Sequence, residues 1–402
     1  MSLEPGDAGA TAPGGSAGEG QPTARSHGRR LAALRQRPAQ QRARRRRLGY
    51  GVGALVAAVL AATLVSLPYY AIVPGAGVDV AGLIAVPRRF AHHHRGQVLL
   101  TDVELVPLRA ITWPYYRLDP NAEIVPAAEL TGPASAAQYD EQGVIDMAAA
   151  REAATYVALR TLGYRVRAVE QAPVVYQPFP GAPAAGELAV GDVVTAVDGH
   201  PTGSFGALVA AVRAHRPGTT VIVRTHLLGA ASSSTRQVTL GVLYRLASGV
   251  VCERAGAPAP RGATATATAC LGLAFARRYA VAGAPFAVRL RSDGIVGPSA
   301  GLAFTLGLIE ELDRGDLTGG RRVAATGTMS LDGQVGDVGG VAQKTVAVRD
   351  AGASVFFVPP AELATARAHA GPRLKVFAVS SVGQAIDDLR RLGGSLVAST
   401  GP

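Results

Sequence analysis

Lysine is almost missing from this sequence: of forty Lys and Arg residues, only Lys344 and Lys375 are lysine. A phosphate-binding G-x-x-x-x-G-K-[ST] loop needs such a residue in a set context. Neither has it, since Gln343 precedes Lys344 and Lys375 stands between Leu374 and Val376. An ATP site of that kind is therefore excluded in this chain. Cysteine is equally scarce. Cys252 and Cys270 flank the low-complexity run ERAGAPAPRGATATATA and match no metal-site spacing, leaving either one disulfide or two buried thiols. Outside the N-terminal tail the two charges nearly balance. Residues 1–47 hold ten arginines against Glu4, Asp7 and Glu19, so +7 of the net +11 lies there and +4 is spread over the rest. That distribution argues against a nucleic-acid partner, which needs a basic face on the folded part.

What the sequence does have is organised in blocks. The tail, rich in Gly, Ala, Pro and Arg, ends in RARRRR at Arg42–Arg47. Its composition cannot offset the entropy of ordering, so residues 1–47 read as a disordered basic tail. No charged side chain occurs between Arg47 and Asp79. Residues 48–68 supply the roughly 20 apolar residues that span a bilayer, with Pro68 as the stop and Tyr69 and Tyr70 as interfacial aromatics. The arginines precede the span, so positive-inside places the tail in the cytoplasm and the remainder outside. The expected location is thus a single-pass membrane anchor with extracytoplasmic domains.

Residues 75–165 read as a β-rich segment followed by a helix over IDMAAAREAATYVALRTLGY, stopped at Gly163. HHH at His92–His94 reads as a solvated hairpin tip, and no metal is expected. Residues 166–245 hold the strand VVTAV, a tight turn at Asp198–Gly199, and a short helix with Phe205, Leu208, Val209 and Val212 on one face. This segment resembles a PDZ domain, which implies that a peptide adds as a strand beside that helix. It lacks a Gly-Φ-Gly-Φ loop in APVVYQPFPG (Ala172–Gly181), where a carboxylate-binding nest is expected. Residues 246–269 read as a linker and 270–395 as the last domain.

That domain holds two informative runs. DGIVGPSAGLAFTLGLIEEL (Asp293–Leu312) places Ser299 between glycines at the start of an apolar helix, where it is either a helix cap or a nucleophile. TGTMSLDGQVGDVGGVAQKTVAVRDAG (Thr326–Gly352) reads as a hairpin at Asp332–Gly333, then a helix from Val341 closed by Gly352. Val341, Lys344 and Val348 share its apolar face. A buried ammonium loses proton affinity, as a general base requires, and arginine cannot replace it there.

Together, GPSAGLAF and TGTMSLDGQVGDVGGVAQK are similar to the proteolytic domain of Lon proteases. The whole order of parts looks like the membrane-anchored PDZ–Lon proteins of bacteria. The resemblance implies an α+β Lon-type domain, a Ser299–Lys344 dyad, and turn and oxyanion support from Gly297, Pro298, Ala300 and Gly301. It also implies Thr326 as a hydrogen-bond partner of the lysine, a polypeptide substrate, no cofactor, and assembly into a homo-oligomer. The acid usual nearer the serine is absent, Asp293 lying six residues before it. GPSAG also satisfies the G-x-S-x-G nucleophile elbow. The run AVRLRSDG before it alternates, however, and only His369 follows. A membrane-tethered PDZ scaffold with an inert Lon-type domain is the remaining alternative to a serine endopeptidase.

Overall fold

The computed structural model describes residues 25–397. The chain divides into two units at Val65. The first contains one helix, Arg25–Leu64, whose portion Arg44–Leu64 is long and apolar enough to cross a membrane. Two expectations change here. The basic segment is helical from Arg25 rather than disordered, because Ala, Leu, Arg and Gln are good helix formers and extending a formed helix avoids a new nucleus. The first 24 residues of the expected tail lie outside the described residues. The helix also stops at Leu64, before Pro68. Pro68, Tyr69 and Tyr70 belong to the strand Ser66–Asp79, where Tyr69 meets Trp113 edge to face at 5.1 Å.

In the second unit, the central sheet runs in the order Lys375–Ala378, Val355–Val358, Arg322–Ala325, Gln97–Arg109, Ser66–Asp79, Glu123–Pro126. The first four strands are mutually parallel and the last two add antiparallel. The strand VFFV (Val355–Val358) is buried throughout, as a strand covered on both faces must be. Val98, Leu100, Val323, Ala325, Val355 and Phe357 face the helices Ala136–Thr161 and Gly301–Leu312. Their neighbours Leu99, Ala324, Phe356 and Val358 face the helices Val341–Asp350 and Leu363–Ala370. Residues 75–165 are accordingly no separate domain: together with the strand that begins at Ser66 they supply half the strands of the sheet that carries the C-terminal motifs.

A β-rich module lies between those two halves. Its sheet orders Ser233–Thr239, Thr220–Leu227, Asp192–Val197, Val174–Pro178 and Leu273–Ala276. Against it packs the helix Phe205–Arg213, whose Leu208 and Val212 enter the core. The expected linker at 246–269 is structured instead. Gly249–Glu253 and Thr264–Cys270 flank Gly241–Leu246 in a three-stranded sheet, and Cys252 is bonded to Cys270. Strand Leu273–Ala276, placed by sequence in the last domain, completes the module's sheet. The chain enters and leaves the module through paired strands, Arg167–Glu170 and Tyr279–Ala282.

Candidate active site

Ser299 sits in a single 3-10 turn, Pro298–Ala300, which leads directly into the helix Gly301–Leu312. Gly297 precedes the turn at φ +92°, a conformation L side chains avoid. Its N–H donates to Gly143 O at 2.8 Å, which ties the turn to the long helix Ala136–Thr161. Gly301 permits close packing, since a Cβ there would lie 2.8 Å from Met329 N. Ser299 makes no capping hydrogen bond at either helix start. The cap reading therefore fails, and its half-buried hydroxyl is left for other work.

The turn's backbone is partly committed. Gly301 N–H donates to Pro298 O, Leu302 N–H to Gly327 O at 3.1 Å, and Gly327 N–H to Ser299 O at 2.9 Å. With Gly297 N–H bonded to Gly143 O and Pro298 lacking an N–H, these three glycine and proline positions shape the turn and keep no N–H for a substrate oxygen. Ala300 is buried beneath it. Thr326 is fully buried and its hydroxyl donates to Ser299 O at 3.3 Å. The structure thus joins Thr326 to the serine turn rather than to the lysine. Thr326 also donates its N–H to Phe357 O at 3.0 Å.

Lys344 lies on the helix Val341–Asp350 and is 4% exposed, beside Val341 at 3% and Val348 at 0%. Gly340 opens this helix in the left-handed region, and a Cβ there would press on Val103 at 2.8 Å. The Thr101 hydroxyl lies 3.4 Å from Lys344 O. Thr101 belongs to the strand beside Arg322–Ala325, in register Ala324 with Leu99, so the lysine helix and Thr326 meet at the same end of the sheet. No ion pair or side-chain hydrogen bond reaches the Lys344 ammonium among the described residues. Burial pulls its pKa from 10.5 down to about 8, against the opposing fields of Asp102 and Glu362.

Sequence reasoning missed Asp102 and Glu362, which lie 242 and 18 positions from Lys344 along the chain and carry no motif. The other residues weighed are elsewhere. Asp293 is exposed and paired with Arg291 at 3.6 Å. His369 is half-buried, its Nδ1 2.9 Å from Thr365 O. Lys375 is exposed at the start of its strand. His92–His94 form no hairpin tip, since the preceding strand Ile84–Ala85 pairs with Arg289–Leu290.

The inserted module has its own site. Leu273–Ala276 is an edge strand, and an apolar groove runs between it and the helix, lined by Phe205, Leu208, Val209, Val212, Leu273 and Phe275. Ahead of this strand lies Leu271-Gly272-Leu273, with Gly272 at φ +73°. A single glycine turn thus precedes the edge strand, about ninety positions after 172–181 and beyond the disulfide-tied segment. The motif CLGLAF was its visible signal.

Fold and sites define a mixed α+β domain with a serine turn and a buried lysine, interrupted by a groove-bearing β module. A family model of the PDZ domain matches residues 161–226. One of the Lon protease (S16) C-terminal proteolytic domain matches residues 293–388, which spans both Ser299 and Lys344. The chain therefore carries a Lon-type serine endopeptidase domain and a PDZ module. No match to a curated protein is found.

Proposed function

We propose that the chain is a membrane-anchored, ATP-independent endopeptidase acting on extracytoplasmic polypeptides through a Ser299–Lys344 dyad. The observation that carries this reading is the burial of Lys344, which is 4% exposed with no ion pair or side-chain hydrogen bond to its ammonium among the described residues; that burial draws its pKa down to about 8. Its neutral amine accepts the proton of the Ser299 hydroxyl as Oγ attacks the scissile carbonyl. The Ser299 N–H, unused by the turn's loop bonds, faces the developing oxyanion. Lys344 then returns the proton to the leaving amine, and a water repeats the cycle on the acyl-enzyme. Thr326 holds the serine turn in place. The disulfide Cys252–Cys270 fits an oxidising compartment, and the arginine cluster before the apolar helix fits a cytoplasmic N-terminus. Peptide segments dock along the edge strand Leu273–Ala276.

An active-site serine probe applied to the full chain in mild detergent tests the reading. Labelling at Ser299 with casein cleavage is expected in the wild type, and neither in Ser299→Ala. Lys344→Arg keeps the charge but cannot act as the base, so it should lose at least a thousandfold in turnover. Substantial activity in Lys344→Arg would remove the dyad. Absence of both label and cleavage in the wild type would favour the inert scaffold.

A further inference from the structure

A second polar cluster lies at the far end of the serine helix. Residue 310 is eleven positions after Ser299, about 16 Å along a helix. Ligand atoms of His94, Glu310 and Asp316 all lie within 4.8 Å of one another. Glu310 is only 6% exposed. Its Oε2 and His94 Nε2 are both buried without a hydrogen-bond partner among the described residues. A buried unpaired carboxylate oxygen beside an unpaired imidazole nitrogen is costly in an interior unless something joins them.

We propose that His94, Glu310 and Asp316 form a binding site for a zinc-class divalent ion. The donor set is one imidazole and two carboxylates, which suits zinc better than calcium or magnesium, whose shells are all oxygen. Bonds of 2.0–2.2 Å in a tetrahedron require ligand atoms about 3.3 Å apart, so small side-chain rotations close the cluster. The remaining oxygens are already oriented. The Thr318 hydroxyl lies 2.7 Å from Glu310 Oε1 and 3.1 Å from Asp316 Oδ1. Gly320 N–H donates to Asp316 Oδ1 at 3.1 Å. Such outer contacts fix which lone pairs face the ion. A cleft bordered by Asp79, His92, His93, Gln97 and Glu311 opens beside His94 and Glu310, giving the ion its path and room for a water as fourth ligand.

The ion would fasten three segments that share no strand or helix. These are the irregular run containing His94, the end of the serine helix, and the Asp316 turn. The run is already held there by His92 N–H donating to Glu311 O at 2.9 Å. The site is structural, remote from Ser299, and independent of the dyad.

The test uses the full chain without a polyhistidine tag, stripped with chelator and titrated with zinc chloride by calorimetry. One ion per chain is expected. A hundredfold excess over Kd should raise the Tm by roughly 5–10 °C. Glu310→Gln, nearly isosteric, and His94→Ala should each weaken binding at least tenfold while the stripped chain keeps its Tm. Cobalt in place of zinc should show tetrahedral visible absorption that these variants lose. No stoichiometric zinc, unchanged binding in both variants, or preference for magnesium over zinc would each overturn the assignment.

Discussion

At the scale of single residues, Lys344 has two consequences that pull against each other. As a base it must be neutral, so kcat/KM should rise about tenfold per pH unit below an apparent pKa of about 8 and level off above it. A profile flat from pH 6 to 9 would deny Lys344 that role. As a buried cation it costs stability. Its pKa is lower in the folded chain than the unfolded 10.5, so the unfolded state binds more protons between about 8 and 10.5. The cost, about 3 kcal/mol, is fully present below pH 8 and fades as pH rises toward 10.5. Lys344→Met fills the same space without charge. It should be inactive yet more stable than the wild type by up to about that amount in urea unfolding at pH 7, with the gap closing by pH 10.5. A less stable Met variant would mean that the ammonium is satisfied by a partner. The burial was legible in the sequence, because the apolar period of one helix marks Lys344 as inward. The fate of the Ser299 hydroxyl was not. A serine at a helix start caps or does not cap according to the backbone of its own turn, and here the 3-10 geometry turns it away from that task.

At the scale of elements, the groove shows where local patterns stop informing. The helix Phe205–Arg213 was readable in outline, and its face divides as its spacing implies, with Leu208 and Val212 most deeply buried. Its partner strand was not readable. Leu273–Ala276 reaches the sheet from across an intervening disulfide-tied hairpin, a pairing that depends on long-range register rather than on residues nearby. Docking on this edge rests on an apolar contact face and an unpaired backbone. Val209 lines the groove without being fully buried. Val209→Asp should therefore weaken binding of an extended apolar peptide at least tenfold by fluorescence anisotropy. Cleavage of a short chromogenic peptide should change less than twofold. Equal loss of both would place the groove within the catalytic machinery.

At the scale of the whole molecule, the order of motifs along the chain conceals the order of strands in the sheet. Both C-terminal motifs and the domain type around them were recognisable, yet the N-terminal strands that complete its sheet were not. Ser66–Asp79 and Gln97–Arg109 complete the sheet from the other side of the module, and Asp102 reaches Lys344 electrostatically from there. The module is an insertion, and its two connections are neighbours: Gln171 N–H donates to Arg278 O at 2.8 Å, and Glu170 pairs with Tyr279. Replacing residues 172–277 by Asn-Gly would close this antiparallel pair with a tight hairpin. One helix needs attention. The helix Ala136–Thr161 sends Ile145 into the module's core and Gln142 to Tyr176 O at 3.0 Å, so Ile145→Ser should accompany the excision. Gly143, between them, holds Gly297 and hence the serine turn. The excised chain should fold cooperatively and cleave short peptides within about tenfold of the intact protein, while losing its preference among long unfolded substrates. A fragment spanning residues 270–397 alone, deprived of three of the sheet's six strands, should aggregate. If the excised chain folds but the serine probe no longer labels Ser299, then the module, through the 142–146 turn of that helix, sets the geometry of the catalytic turn as well as choosing what reaches it.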